Sequence, residues 1–238
     1  MLSANFSQHK LFELQSFNWR EFKNPYLKRS FLRTIFIIGD SGISDQEKLH
    51  EWKKLKSDMS RAYSMAKIMI NDSLVSLEPN VSSIIAHNRD YDVLASVWKK
   101  WRDASGKPNR HMYPKYVVLS NEAIQGYGYK DYGDYLRGSF EVSDFEEQLE
   151  EIYKKLEKLY RLLHAYVKKK LIDMYPGRID AKIGALPAHV FGDLWAQQWH
   201  NIYEEIKPYK NKTLLDVTKN MVAQVRNKKH VFLYSKKF

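Results

Sequence analysis

The chain has 238 residues, of which 44% are hydrophobic and 14% aromatic, so it can bury a sizeable core and is not expected to be disordered. It has no cysteine, which excludes disulfides and thiolate metal ligands. The formal net charge is +11, and five of these charges come from the basic tail, at Arg226, Lys228, Lys229, Lys236 and Lys237.

The first expected element is a long helix. The motif Ser44-Asp-Gln-Glu47 has the spacing of a capping box, in which the Ser and Glu side chains satisfy free amides of the first turn. After it, apolar residues recur every three or four positions as far as Ile70, which predicts one amphipathic helix. We find no alternating apolar pattern long enough to predict a strand.

Two shorter helices are expected next. One contains Trp98 and Trp101 and ends at Gly106. The other begins near Pro114 and ends in the glycine-rich and tyrosine-rich stretch 126–133. That stretch lacks the Gly-Lys-Ser/Thr of a phosphate-binding loop, so a tyrosine-lined turn between helices is the favoured interpretation.

A second capping box, Ser143-Asp-Phe-Glu146, opens the clearest helix, which Pro176 ends. The spacing of its apolar residues predicts one continuous buried face. The predicted buried residues are Leu149, Ile152, Tyr153, Leu156, Leu159, Tyr160, Leu163, Tyr166 and Val167.

The stretch from Pro187 to Pro208 is rich in tryptophan, histidine and glutamine and is expected to form a further helix. On such a helix, Asp193, Gln197 and Asn201 would form a polar stripe separate from the tryptophans. The residues alone leave two interpretations of Gln197 open: a ligand contact in a cleft, or an internal hydrogen-bonding residue.

No metal site is expected from these residues. His189 and His200 would lie roughly 16 Å apart along one helix, too far to share a zinc ion. His50-Glu51 begins like the zinc motif His-Glu-x-x-His, but Lys54 stands where the second histidine is needed. We likewise expect no nucleic-acid binding, since the run Lys168–Lys170 is explained by solvation and by the helix dipole.

Several segments together resemble the angiotensin-converting-enzyme-type metallopeptidases. LPAHVFGDLWAQQW is similar to the family's Pro-x-His-Leu-Leu-Gly-x-Met-Trp-Ala-Gln-x-Trp, and VWKKWR to its Trp-x-x-Trp-Arg. DYGDY, LHAYV and the LEP that begins at Leu77 match in the same order. The resemblance runs from about residue 18 to residue 224, so we expect a partial peptidase domain over 1–224 and a divergent basic tail over 225–238.

The resemblance implies an all-α fold: the N-terminal part of a large ellipsoidal zinc-peptidase domain with a central cleft. Members of the family remove dipeptides from peptides through a free C-terminal carboxylate, use zinc and chloride, and are secreted or held at the cell surface. By motif position, Gln197 is the expected substrate-binding residue and Arg102 the expected chloride-binding residue. Glycosylation acceptor tripeptides begin at Asn5, Asn71, Asn80 and Asn211.

The sequence departs from the family at several points. The family's zinc helix has no counterpart here, and no signal peptide or transmembrane segment is visible. Phe140 stands where a tyrosine is tied to a second chloride site. We therefore expect a truncated and inactive peptidase, either an incomplete gene product or a real shortened one. The alternative is a non-catalytic helical homologue that binds peptides or a protein partner.

Overall fold

The structure is a computed structural model that describes residues 2–38, 43, 45–125, 129–212 and 217–225. Over these residues the chain is largely helical, which confirms the predicted all-α class. The α-helices among them are α1 (Leu2–Gln15), α2 (Pro25–Ile38), α3 (Gln46–Ser64), α4 (Ser82–His87), α5 (Tyr91–Ser105), α6 (Tyr113–Gln125), α7 (Tyr132–Arg137), α8 (Phe145–Met174), α9 (Tyr203–Ile206) and α10 (Thr218–Val225).

The long helix expected to reach Ile70 is shorter than predicted. It begins after Asp45, whose carboxylate accepts hydrogen bonds from the backbone N–H groups of Glu47 at 2.9 Å and Lys48 at 3.2 Å. This is the role predicted for Ser44, which lies outside the described residues. The helix ends at Ser64.

Residues beyond Ser64 form an antiparallel hairpin of β1 (Lys67–Ile70) and β2 (Ser73–Ser76). Asn71 and Asp72 make the two-residue turn, with positive φ angles of 46° and 58°. The prediction of no strand is therefore wrong here. Apolar residues four positions apart, such as Ala66 and Ile70, lie on one side of a helix and also on one side of a strand. The turn at Asn71 and Asp72 favours the strand.

A first core cluster joins this hairpin to α5. Leu94, Val97 and Trp101 of α5 are 1–3% exposed and pack against Ile68 of the hairpin. Leu194, from the segment between α8 and α9, completes the cluster. The predicted end of α5 is confirmed, because Gly106 caps it.

A second core cluster lies between α3 and α6. Leu49 and Trp52 of α3 are buried against Leu119 and Ala123 of α6. The indole N–H of Trp52 donates to the hydroxyl of Ser120 at 2.9 Å, so the buried polar atoms of this contact are satisfied.

Helix α8 contributes to a third core cluster only through its last turns. Val167 and Leu171 are fully buried against the segment 175–206. The predicted buried face is wrong for the earlier turns, which remain about half exposed although the ring of Tyr160 lies 6.5 Å from that of Trp199. The exposed fractions are 49% for Leu149, 52% for Ile152, 50% for Tyr153, 53% for Leu156, 67% for Leu159, 49% for Tyr160 and 47% for Leu163.

The capping box predicted at the start of α8 is not formed. Asp144 precedes the helix, and its side chain caps no backbone amide. Its carboxylate instead accepts a hydrogen bond from the side-chain amide of Gln148 at 2.9 Å.

Candidate functional site

The segment 187–206, predicted as one helix, is mostly irregular. It contains short 3-10 turns at Ala188–Val190 and His200–Ile202 and ends in the one-turn helix α9. The helix prediction fails because Gly192 and Ala196 have positive φ angles of 74° and 56°, which an α-helix cannot accommodate.

Gly192 is required where it stands. A Cβ atom at this position would lie 2.7 Å from the Cβ atom of Asn201. The side-chain amide of Asn201 donates to the Gly192 carbonyl at 2.7 Å and so closes a loop that runs from residue 192 to residue 201. Asn201 is therefore a structural residue of this loop and does not belong to the predicted polar stripe.

Asp193 organises the tip of the same loop. Its carboxylate accepts from the backbone N–H of Gln197 at 2.7 Å and from that of Gln198 at 3.3 Å. The backbone N–H of Ala196 donates to the Asp193 carbonyl at 3.0 Å. These bonds hold the backbone of Gln197 in place and leave its side chain out of the contacts.

Gln197 is exposed at this tip, and its side-chain amide has no hydrogen-bond partner in the described part of the chain. The sequence left two interpretations of Gln197 open. Because its side chain makes no hydrogen bond within the described chain, the structure does not support the interpretation as an internal hydrogen-bonding residue. An amide held by a defined backbone and free at its end can donate to an external acceptor.

The loop is anchored in two of the three core clusters. Leu194 is buried against α5 and the hairpin, while Phe191 and Ile202 are buried against the end of α8. The ring of Trp199 stacks on Phe191 with centroids 4.8 Å apart. Buried residues on both sides of Gln197 in the sequence therefore hold the tip of the loop against the two clusters.

Arg102 connects α5 directly to the loop. One of its guanidinium nitrogens donates to the carbonyl of Leu194 at 2.8 Å, and the guanidinium lies 4.8 Å from the ring centre of Trp98. The indole nitrogen of Trp98 is buried and has no hydrogen-bond partner among the described residues. Arg102 and Gln197 are therefore linked through three residues of backbone, which the sequence pattern did not indicate.

Arg89 is a residue of this site that the sequence analysis missed. Its guanidinium forms an ion pair with Glu205 and donates to the carbonyls of Asn201, Ala86 and Asn88. It therefore ties the end of α4 to the end of the loop at Asn201 and to α9. The only local signal is an arginine between the helix-capping residues Asn88 and Asp90, and its partners at 201 and 205 are too distant in sequence to predict.

His189 lies at the start of the loop, packed edge-on against Tyr91 with centroids 4.5 Å apart. Burial lowers the pKa of its imidazole, and the positive charge of Arg178 lowers it further. The Nε2 atom is buried without a partner among the described residues. His200 is exposed. Because the segment is not one helix, the separation predicted for the two histidines does not apply.

Tyr175, at the end of α8, is a second buried titratable group near this loop. Burial raises the pKa of its hydroxyl, against the opposing effect of Arg89. The hydroxyl oxygen has no hydrogen-bond partner in the described ranges.

The residues present do not fit a zinc ion. In the partial motif that begins at His50, the ammonium of Lys54 pairs with Asp58 at 2.7 Å and Glu51 pairs with Lys115. Over the described residues, no group of three or more His, Cys, Asp or Glu side chains is placed to hold a metal.

Three of the four predicted glycosylation positions are accessible. Asn71 is at the hairpin turn, Asn80 precedes α4, and Asn211 follows α9, and all three are exposed. The side chain of Asn5 lies outside the description. Phe140 is 59% exposed and stacks on Phe145 with centroids 4.1 Å apart. No described helix is both long and apolar enough to cross a membrane.

Known proteins with similar sequences belong to one family. A family model described as angiotensin-converting enzyme matches residues 1–238. Angiotensin-converting enzyme of Bos taurus is 36% identical over 100% of this chain and 18% of its own length. That of Theromyzon tessulatum is 37% identical over 93% of this chain and 36% of its own. Angiotensin-converting enzyme-like protein Ace3 of Mus musculus is 39% identical over 87% of this chain and 28% of its own. The chain therefore spans well under half of the length of each of these relatives.

Proposed function

The chain belongs to the angiotensin-converting enzyme family, and on that premise we propose that it supplies part of the peptide-binding surface of a zinc-dependent peptidyl-dipeptidase. Gln197 is the residue that holds the C-terminal carboxylate of the peptide. The observation that carries this proposal is the exposed, unpartnered amide of Gln197 on a loop whose backbone is bound at both ends.

A primary amide suits this task, because its N–H₂ group donates to a carboxylate without introducing a competing charge. A hydrogen bond to a charged group contributes roughly 1.5–3 kcal/mol. The bonds from Asp193 and Asn201 hold the loop before the peptide arrives, so little backbone ordering is needed on binding.

The test is peptide binding with a matched pair of substitutions. A peptide with a free C-terminal carboxylate is titrated into the purified chain by calorimetry, beside the same peptide with an amidated C-terminus. Gln197→Ala is expected to weaken binding of the free acid by about 10-fold to 150-fold. It should leave binding of the amidated peptide unchanged.

Gln198→Ala is the control, since Gln198 is the neighbouring glutamine, is also exposed, and has its backbone N–H bonded to the same Asp193 carboxylate. It should bind both peptides like the unmodified chain. Equal binding of acid and amide by all three proteins would contradict the assignment of Gln197.

We infer further that this chain alone does not hydrolyse peptides. Its sequence has no His-Glu-x-x-His motif, and the related stretch at His50 places an ion-paired lysine in the second ligand position. Zinc would supply the Lewis acid of the family reaction, and the described residues offer it no ligand set. Zinc-dependent release of dipeptides by the purified chain would overturn this inference.

Arg102 and Trp98 support a chloride site. A guanidinium keeps its charge when buried, and Trp98 offers a buried indole N–H that has no acceptor among the described residues. A bound anion beside the guanidinium of Arg102 would accept a charge-assisted hydrogen bond, which is stronger than a neutral one.

Chloride binding is tested by thermal unfolding in sodium chloride and in sodium gluconate at equal ionic strength. Chloride is expected to raise the Tm of the unmodified chain by several degrees, which corresponds to about 1 kcal/mol of ligand stabilisation. Arg102→Gln and Trp98→Phe should each remove the difference between the two salts. A difference that survives both substitutions would place the anion elsewhere.

An extracellular or cell-surface location also follows from the family relationship as a proposal. The exposed acceptors Asn71, Asn80 and Asn211 are available for glycosylation in that compartment. Expression through a secretory pathway, followed by mass measurement before and after glycan removal, tests this proposal directly.

The alternative function, binding of a protein partner without catalysis, is favoured by one specific observation, the uncovered apolar face of α8. It predicts that substitution of Gln197 has no effect while substitutions on α8 abolish binding.

A further inference from the structure

The loop that carries Gln197 is bonded to α5 and to the turn before it by one arginine on each side of Gln197. Three residues before Gln197, the carbonyl of Leu194 accepts from the guanidinium of Arg102 on α5. Four residues after Gln197, the carbonyl of Asn201 accepts from the guanidinium of Arg89, which lies two residues before the start of α5. The tip of the loop therefore lies, in sequence, between two points of attachment to one helix and its N-terminal turn.

Arg89 binds acceptors from three segments of the chain. Its guanidinium donates to the carbonyls of Ala86 at 2.9 Å and Asn88 at 2.7 Å, and it forms an ion pair with Glu205 of α9. Together with the bond to Asn201, four of the five N–H donors of the guanidinium have acceptors within the chain. The donors of Arg89 are therefore used almost entirely inside the chain, and the carboxylate of Glu205 balances its charge.

The backbone that carries Arg89 is itself held by its neighbours. The side chain of Asn88 accepts from the backbone N–H of Asp90 at 2.7 Å, and the carboxylate of Asp90 caps α5 by accepting from a backbone N–H of its first turn at 2.9 Å. The helices on both sides of this turn are buried in the same core cluster, through Ile85 of α4 and Leu94 of α5. Arg89 therefore extends from a turn whose position is fixed by the core.

A series of hydrogen bonds leads from Arg89 to the tip of the loop. The guanidinium donates to the carbonyl of Asn201, and the side-chain amide of Asn201 donates to the carbonyl of Gly192 at 2.7 Å. Asp193 comes next in the sequence, and its carboxylate accepts from the backbone N–H of Gln197 at 2.7 Å. A displacement of Asn201 would therefore displace the backbone of Gln197 as well.

We propose that Arg89 is a positioning residue, which sets the amide of Gln197 where the carboxylate of a peptide binds and so determines the preference for a free C-terminus. This inference rests on the carboxylate-binding function proposed above for Gln197. Hydrogen bonds weaken steeply when donor and acceptor leave their alignment, so a displaced loop weakens this contact selectively. Arg89 contributes through Asn201 and does not contact the peptide.

The test uses Arg89→Lys in the full chain, because lysine keeps the positive charge beside Glu205 but lacks the planar fork that reaches several acceptors at once. Calorimetry measures the binding of acetylated trialanine as the free acid and as the C-terminal amide, and the ratio of the two dissociation constants is the acid preference. Arg89→Lys should lower the acid preference by about 3-fold to 10-fold, less than Gln197→Ala does, because the amide is displaced and not removed. Arg29→Lys, which changes a guanidinium on α2 that is paired with Glu141, is the control and should leave the acid preference unchanged.

Hydrogen exchange of the loop gives a second measurement that needs no peptide. The backbone N–H groups of residues 196–198 are bonded to Asp193 within the loop. They should exchange roughly 3-fold to 10-fold faster in Arg89→Lys and at the unmodified rate in Arg29→Lys. Asn201→Ala breaks the next bond of the series and leaves the contacts of Arg89 with α4 in place. It should give the same two changes, and it carries the test if circular dichroism shows that Arg89→Lys is unfolded.

The outcomes separate this inference from the proposed function. If the unmodified chain shows no acid preference, the proposed function of Gln197 fails and this inference fails with it. An acid preference that disappears in Gln197→Ala but is complete in Arg89→Lys and in Asn201→Ala overturns the positioning role alone. Loss of affinity for both peptides by the same factor would also overturn it, because Arg89 would then support the fold without directing the amide. In the Gln197→Ala chain, adding Arg89→Lys should cause no further selective loss of the acid, and such a loss would mean that Arg89 acts through another group.

Discussion

Helices α5 and α8 both have an apolar face with residues three or four positions apart, but the face of α5 is buried and most of the face of α8 is exposed. On α5, Leu94 and Trp101 are 1% exposed, because the hairpin, α4 and Leu194 surround them. On the first five turns of α8, Leu156 and Leu159 are 53% and 67% exposed, because no described element lies above them. Amphipathic spacing predicts which side of a helix is apolar. It does not predict whether another segment of the same chain packs against that side.

The largest expected difference in the free energy of unfolding is between the same substitution, leucine to alanine, made in α5 and in α8. Leu94→Ala removes a fully buried side chain and should lower the free energy of unfolding by about 2–5 kcal/mol. Leu159→Ala removes a side chain that is 67% exposed and should change it by less than about 0.5 kcal/mol. Urea unfolding followed by circular dichroism measures both. Comparable losses would mean that Leu159 is covered in the folded chain.

A smaller difference is expected between two glycine positions, one of them in the loop of Gln197. Gly192 and Gly177 both have positive φ angles, 74° and 72°, but a Cβ atom would clash with Asn201 only at Gly192. Both substitutions by alanine incur about 1–2 kcal/mol of backbone strain. Gly192→Ala should destabilise by a further 1–3 kcal/mol or so from the clash, and it should also weaken carboxylate binding.

The same unfolding assay compares the two glycine substitutions, with peptide calorimetry as the second readout. If Gly177→Ala and Gly192→Ala have equal effects, the close approach of Asn201 does not constrain the loop.

The smallest effect concerns pH and the imidazole of His189. Burial, with a further contribution from Arg178, lowers the folded-state pKa below its unfolded value, so the unfolded chain binds more protons in this window. Stability from this group is therefore full above the unfolded pKa near 6.5 and is lost as the pH falls through the folded pKa. The loss is below about 1.4 kcal/mol for each pH unit.

Unfolding of the unmodified chain and of His189→Gln between pH 7.5 and 5 measures this contribution. The slope of stability against pH should be smaller in His189→Gln. His200→Gln, which changes an exposed histidine, should keep the slope of the unmodified chain.

Local patterns predicted much of the fold. The α5 helix and its end at Gly106, the α6 helix and the extent of α8 were all predictable, since each depends on spacing, caps and breakers within a few residues. The hairpin was missed because Ala66 and Ile70 also fit a helix. The segment 187–206 was wrongly predicted as a helix, because Pro187 and Pro208 suit the two ends of a helix and the positive φ angle of Ala196 has no signal in the sequence.

At the candidate site, motif positions predicted roles for Gln197 and Arg102, but they could not show how either side chain is held. Arg89 was missed because its bonds reach residues more than a hundred positions away in the chain. The polar stripe through Asp193 and Asn201 was wrong, since both side chains bind the backbone of their own loop.

The sequence by itself determined the all-α class, the positions of α3, α5, α6 and α8, the family and the lack of a His-Glu-x-x-His motif, because these depend on residues near one another in the chain. Only the tertiary structure decided that Gln197 is exposed, that Arg102 donates to the Leu194 carbonyl, and that the apolar side chains on the early turns of α8 are about half exposed. Those properties depend on which distant segments come to lie beside a residue, and burial is decided by such contacts.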